Sequence, residues 1–194
     1  MNQVNPNFDS HVPLGSFSSV GEGQTANLSV ATGGIIYDAF HFEYPKSAVA
    51  GEEFDTSHMH VRIVLNEEDI VDLPVADLIK REAYQGNAEQ DGYYSVSFRE
   101  IMAKTFAGDH ITGLVTMPGD NLSVEVDIDG TGASATVTLK AFADTRATPL
   151  EKSGQQVRRV FVPKLRILPV VSEAGDREID TMARGPVYKR VYIK

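Results

Sequence analysis

Hydrophobic and polar positions alternate with a period of two along much of this chain, the pattern of strands with one face toward a core. Val61, Ile63 and Leu65 alternate with His60, Arg62 and Val64. Further strands are predicted at 26–31, 35–44, 93–97, 112–117, 122–128 and 134–142, with a short apolar run at Ile70-Val71. In 35–44 the alternation puts Ile36, Asp38, Phe40, Phe42 and Tyr44 on one face. Turn signals separate the runs: Thr32-Gly33-Gly34, Asn66-Glu67-Glu68-Asp69, Pro118-Gly119-Asp120-Asn121 and Asp129-Gly130-Thr131-Gly132.

Two segments switch to helical spacing. Over 74–85, Asp72 is placed as N-cap and Pro74 in the first turn. Val75, Leu78, Ile79 and Ala83 form the apolar stripe, and Gly86 is the stop. Ser97 and Glu100 then form a capping box ahead of Phe98, Ile101, Met102 and Phe106, and Gly108-Asp109 ends that helix. Seven or eight strands by residue 143 with so little helix predict an all-β fold, a jelly-roll β-sandwich, and argue against a βαβ enzyme.

The organisation follows. Residues 1–25, rich in Asn, Ser, Gly and Pro, read as a flexible N-terminal arm. Residues 26–143 are the jelly-roll domain. Residues 144–194 are a connector and extended C-terminal segment, polar over 144–156. Pro163 and Pro169 there suit extended chain or edge strand. Val187, Val191 and Ile193 are spaced as in a strand that must pair elsewhere.

Charge sharpens this picture. The 194 residues carry a net −9. Residues 1–149 hold 8 Lys/Arg against 22 Asp/Glu, a balance of −14. Residues 150–194 hold 10 against 5, a balance of +5. Such polarity fits either a solvated tail or a basic end docking on something acidic: a neighbouring copy, a membrane surface or nucleic acid, the last ranked below a neighbouring copy. Sequence-independent nucleic-acid binding would show denser Lys/Arg clusters with stacking aromatics, and no specific nucleic-acid partner is expected. The absence of Cys excludes disulfides and thiolate metal sites, and the absence of Trp lowers the odds of a sugar-binding surface. The start lacks a basic-plus-apolar leader, and the apolar runs are short, so a soluble chain made in the cytoplasm is expected.

Candidate chemistry is sparse. His58 and His60 would share a strand face and offer a metal pair, faintly like a cupin motif, but spacing and a second motif are lacking. Asp127 and Asp129, ahead of Gly130, begin like a calcium loop, but the Gly comes too early and Thr138 stands where a Glu is needed. They are the calcium candidates; otherwise no cofactor is expected. Ser, His and Asp occur without a nucleophile motif, and Gly21-Glu22-Gly23 and Gly33-Gly34 do not continue as phosphate loops. An enzyme is not expected.

The order of pieces resembles the major capsid proteins of corticovirus-like bacteriophages, tailless icosahedral phages with an internal membrane. The resemblance is carried by Val61-Arg62-Ile63-Val64-Leu65, the helix Val75-Ala76-Asp77-Leu78-Ile79, and the acidic strand Ser123 to Asp129. It continues in Arg158-Arg159-Val160-Phe161, Asp176-Arg177-Glu178-Ile179-Asp180 and Pro186 to Lys194. It implies a structural virion protein that self-associates, as a trimer, into a shell beside neighbouring capsid proteins and the internal viral membrane. Those proteins carry two jelly rolls, and the last segment here looks like the opening of a second. The chain is thus expected to be either a fragment or a single-jelly-roll relative. Arg158, Arg159, Phe161, Lys164, Arg166, Lys189 and Arg190 are the expected contacts between copies, with Val160, Leu165 and Ile167 adding dry surface. Two other readings remain: a cupin-like or other jelly-roll metal enzyme, and a carbohydrate- or receptor-binding sandwich of a phage fibre or spike.

Overall fold

The computed structural model describes residues 10–44, 58–86, 92–99, 112–128, 139–148, 159 and 162–166. The strands are β1 (Ser10–Pro13), β2 (Gln24–Val30), β3 (Ile35–Glu43), β4 (Met59–Leu65), β5 (Glu68–Pro74), β6 (Tyr93–Ser97), β7 (Leu114–Val115), β8 (Leu122–Ile128), β9 (Lys140–Ala147) and β10 (Leu165–Arg166). The helix among the described residues, α1 (Val75–Tyr84), follows β5 directly.

The alternation sorts the strands into two sheets. Met59, Val61, Ile63 and Leu65 of β4 are buried, as are Leu122, Val124, Val126 and Ile128 of β8, directly opposite. They sit in a sheet ordered β10-β5-β4-β8-β2. Tyr37, Phe40 and Phe42 of β3 come from the other sheet, ordered β1-β9-β3-β6 with β7 also on β3. The two apolar faces meet in one core, giving a jelly-roll sandwich. Aromatic stacking closes it: Tyr37 on Phe40 with ring centroids 5.0 Å apart, and Phe42 on Tyr94 at 4.8 Å.

Two bulges shift the sequence pattern. In β5 the register slips so that Val64 faces Asp69 while Ile63 faces Val71, and Ile70 and Val71 are both buried. In β3, Tyr37 faces Thr145 and Ala39 faces Asp144, leaving Asp38 as the extra residue. Tyr37 therefore joins Phe40 and Phe42 in the core. The expectation that Ile36 and Asp38 share that face is corrected by the bulge.

Other boundaries also move. Ser10–Pro13, inside the expected arm, pairs with β9. The strand expected at 134–142 is β9, which runs Lys140–Ala147, and Asp144 and Arg146 are strand residues rather than linker. Their polarity is met across the sheet, which a reading for apolar alternation does not anticipate. The α1 N-cap is Pro74 without a side-chain cap, because Asp72 is still in β5. Val75 and Leu78 are buried as expected, but the third buried residue is Glu82 and Ala83 is exposed. Glu82 accepts hydrogen bonds from Ser97 Oγ at 3.0 Å and Arg81 Nη1 at 2.9 Å, which satisfy its charge. Gly86, at φ +89°, takes the left-handed stop. The second expected helix falls largely outside the described residues.

Candidate functional site

The side of the β1-β9-β3-β6 sheet that faces away from the core is unusually polar. Residues directly opposite in a sheet share a side. His11 of β1 lies opposite Asp144 of β9, and His41 of β3 lies opposite Ser95 of β6. His11 Nδ1 is 2.8 Å from Asp144 Oδ1, and His41 Nε2 is 2.9 Å from Asp144 Oδ2. His41 Nδ1 is 2.7 Å from Ser95 Oγ. Phe142 stacks on the His11 ring at 5.3 Å. The row runs across four strands. Burial opposes charge on Asp144, but the two histidine hydrogen bonds outweigh it and hold its carboxyl below the usual range. Among the described residues, His11, His41 and Asp144 form the one group of three potential metal ligands.

Farther along the same strands Asp38 and Arg146 form a buried, two-pronged ion pair. Arg146 Nε donates to Asp38 Oδ2 and Nη2 to Oδ1, both at 2.5 Å, with each side chain only 3% exposed. Arg146 lies opposite Ile36, so the bulge that extrudes Asp38 aims its carboxylate at the guanidinium.

One end of the sandwich is tied by Asp120. Its Oδ1 accepts from Asn66 Nδ2 at 2.8 Å, and its Oδ2 accepts from Met117 N at 2.7 Å and Arg159 Nη1 at 2.6 Å. Thr32 Oγ1 donates to its carbonyl at 2.8 Å. Burial again opposes the charge, but the Asn66, Met117 and Arg159 contacts outweigh it and lower the carboxyl's pKa. Asn66 and Glu67 make the two-residue β4–β5 turn with φ +52° and +66°.

The sequence-predicted assembly residues divide. Arg159 pairs with Asp120, and Lys164 Nζ pairs with Glu68 Oε1, both within the chain. Arg166 sits in β10, which runs parallel to β5 along its edge, and Leu165 packs against the core. Arg158, Phe161, Lys189 and Arg190, like Val160 and Ile167, lie outside the described residues. Of the calcium candidates, Asp127 accepts from Thr25 Oγ1 at 2.6 Å and Asp129 lies outside the described residues. His60 Nδ1 is 3.4 Å from Asp72 Oδ1. Neither His58 nor His60 joins a three-ligand group among the described residues. Sequence reasoning missed the His11–His41–Asp144 row entirely. Asp144 is 133 positions from His11 and 103 from His41 along the chain, and its polar surroundings in sequence read as linker.

Comparison with known proteins gives two findings. The family model described as viral coat protein P2 N-terminal domain matches residues 11–146. The crystal structure of the major capsid protein P2 from Bacteriophage PM2 is similar, with a TM-score of 0.59 at 20% identity, covering 72% of this chain and 51% of that one. This chain thus spans about half the length of that protein. No curated protein matches. The matched range begins inside β1 and ends inside β9, so it takes in every strand but β10 and includes the polar row on the outer side of the first sheet. With the family model matching well over half its length, the chain belongs to the viral coat protein P2 N-terminal domain family.

Proposed function

We propose that this chain is a structural subunit of a bacteriophage capsid, part of the virion, that self-associates around a threefold axis and works without catalysis. The observation that carries the reading is the coat-domain match over residues 11–146, which spans the two-sheet sandwich apart from β10. The charge layout supports association between copies: an acidic body at −14 beside a basic end at +5. Arg159 and Lys164 already hold ion pairs within the chain. The contacts between copies are therefore assigned chiefly to Arg158, Phe161, Arg166, Lys189 and Arg190. Neighbouring capsid proteins and the internal membrane are the further partners of such a subunit.

Light scattering on the full chain tests this. A mass near three times the 21.2 kDa of one chain is expected at low salt, falling toward one chain as salt screens the contacts. Reversing Arg158, Lys189 and Arg190 to Glu should give a folded monomer. A full chain that stays monomeric at high concentration and low salt would remove the assembly reading.

A further inference from the structure

We propose that His11, His41 and Asp144 form a binding site for a divalent cation of the zinc class on the outer side of the β1-β9-β3-β6 sheet. The donors are two imidazole nitrogens and one carboxylate, the set that suits zinc and its neighbours rather than calcium or magnesium, which take oxygen shells. They come from three hydrogen-bonded strands, so the backbone fixes their spacing. One ligand atom from each lies within 4.8 Å of the other two. Tetrahedral zinc with bonds of about 2.0–2.2 Å would set such atoms roughly 3.3 Å apart. The change falls to side-chain rotation, for which His11, its side chain 57% exposed on the sheet's edge strand, has room.

The hydrogen-bond chemistry already has the form of a ligand set. Asp144, as a carboxylate, only accepts, so each histidine presents a protonated nitrogen to it. A dication would take the place of those two protons. His41 must then turn its other nitrogen from acceptor to donor. Its partner there is Ser95 Oγ, a hydroxyl that can donate or accept, so the change of tautomer keeps that bond. Ser95 is the positioning residue: it fixes the ring and leaves Nε2 for the metal, as outer partners of metal-bound histidines do. Phe142 stacks on the His11 ring with an interplanar angle of 14°. Three protein ligands leave a tetrahedral cation one position open.

The site is independent of the capsid reading, and its test does not depend on assembly. Untagged full-length protein, stripped of metal, is titrated with zinc chloride by calorimetry. The expected result is one zinc per chain. His11→Ala, His41→Ala and Asp144→Asn should each weaken it tenfold or more. Ser95→Ala should weaken it by roughly 10–100-fold, and Ser95→Thr, which keeps the hydroxyl, should restore it. The His58→Ala, His60→Ala double variant should bind as the parent does, and millimolar calcium should not compete. His11 is an exposed edge residue, so His11→Ala keeps the fold, which circular dichroism of the metal-free protein verifies. No zinc uptake by the parent, or unchanged affinity in folded His11→Ala, overturns the proposal. So does loss of zinc only in the His58 and His60 variant.

Discussion

Arg146→Met should be among the most damaging single substitutions in the sandwich. It leaves the Asp38 carboxylate where both side chains are 3% exposed, without the two guanidinium hydrogen bonds it accepts at 2.5 Å. Removing one partner of a buried pair costs about 3–5 kcal/mol, because the remaining charge is neither solvated nor compensated. For a chain of this size that corresponds to a melting temperature lower by roughly 6–20 °C. The double variant Asp38→Leu, Arg146→Met removes both charges and should recover most of the loss, since hydrophobic replacement of a buried pair is often near neutral. Without Trp in the chain, far-UV circular dichroism in urea is the suitable assay. A loss below about 1 kcal/mol for Arg146→Met would refute the claim that this pair is buried and needed. A double variant as weak as the two single changes added together would refute the compensation.

Gly113 lies against the same pair. A Cβ there would sit 2.5 Å from Ile36 Cγ2 and 2.7 Å from Asp38 Oδ1, so Gly113→Ala should cost about 1–3 kcal/mol, read by the same melts. Leu78 of α1 is fully buried, and Leu78→Asp should lose at least the roughly 2–5 kcal/mol of a core truncation; an unchanged melting temperature would deny the helix its packed face. Asp120 has a depressed folded-state pKa, so its contribution is present above the unfolded value near 3.9 and is lost as pH falls through the lower folded value. The stability gap between parent and Asp120→Asn should therefore be widest at neutral pH and shrink below about pH 4 in urea melts across pH. A gap that does not change with pH would count against the Arg159 and Asn66 contacts.

The sandwich was legible because burial in β4 and β8 follows strict alternation, seven residues each with every second one inside. The helix was legible from Val75 and Leu78 for the same reason. What stayed hidden involves residues whose polarity is answered far along the chain. Asp38 reads as one more alternating position until a bulge, invisible in composition, pushes it out of phase. Asp144 and Arg146 read as linker because their partners, His11, His41 and Asp38, are more than 100 positions away. Glu82 displaces Ala83 from the buried stripe for a related reason, since Ser97 and Arg81 make a buried carboxylate tolerable.

The segment after the sandwich has an intramolecular role that charge alone did not suggest. Arg159 anchors at Asp120 on one end, Val162 and Leu165 pack against the core, and β10 lies parallel to β5. That strand satisfies backbone groups of β5 that would otherwise stand open to pairing with another chain. Cutting the chain at residue 157 would thus do two things at once. It would remove the basic charge that favours contact between copies, and it would uncover the β5 edge, which favours unspecific association. Substituting Arg158, Lys189 and Arg190 separates these effects, because it changes the charge and leaves β10 in place.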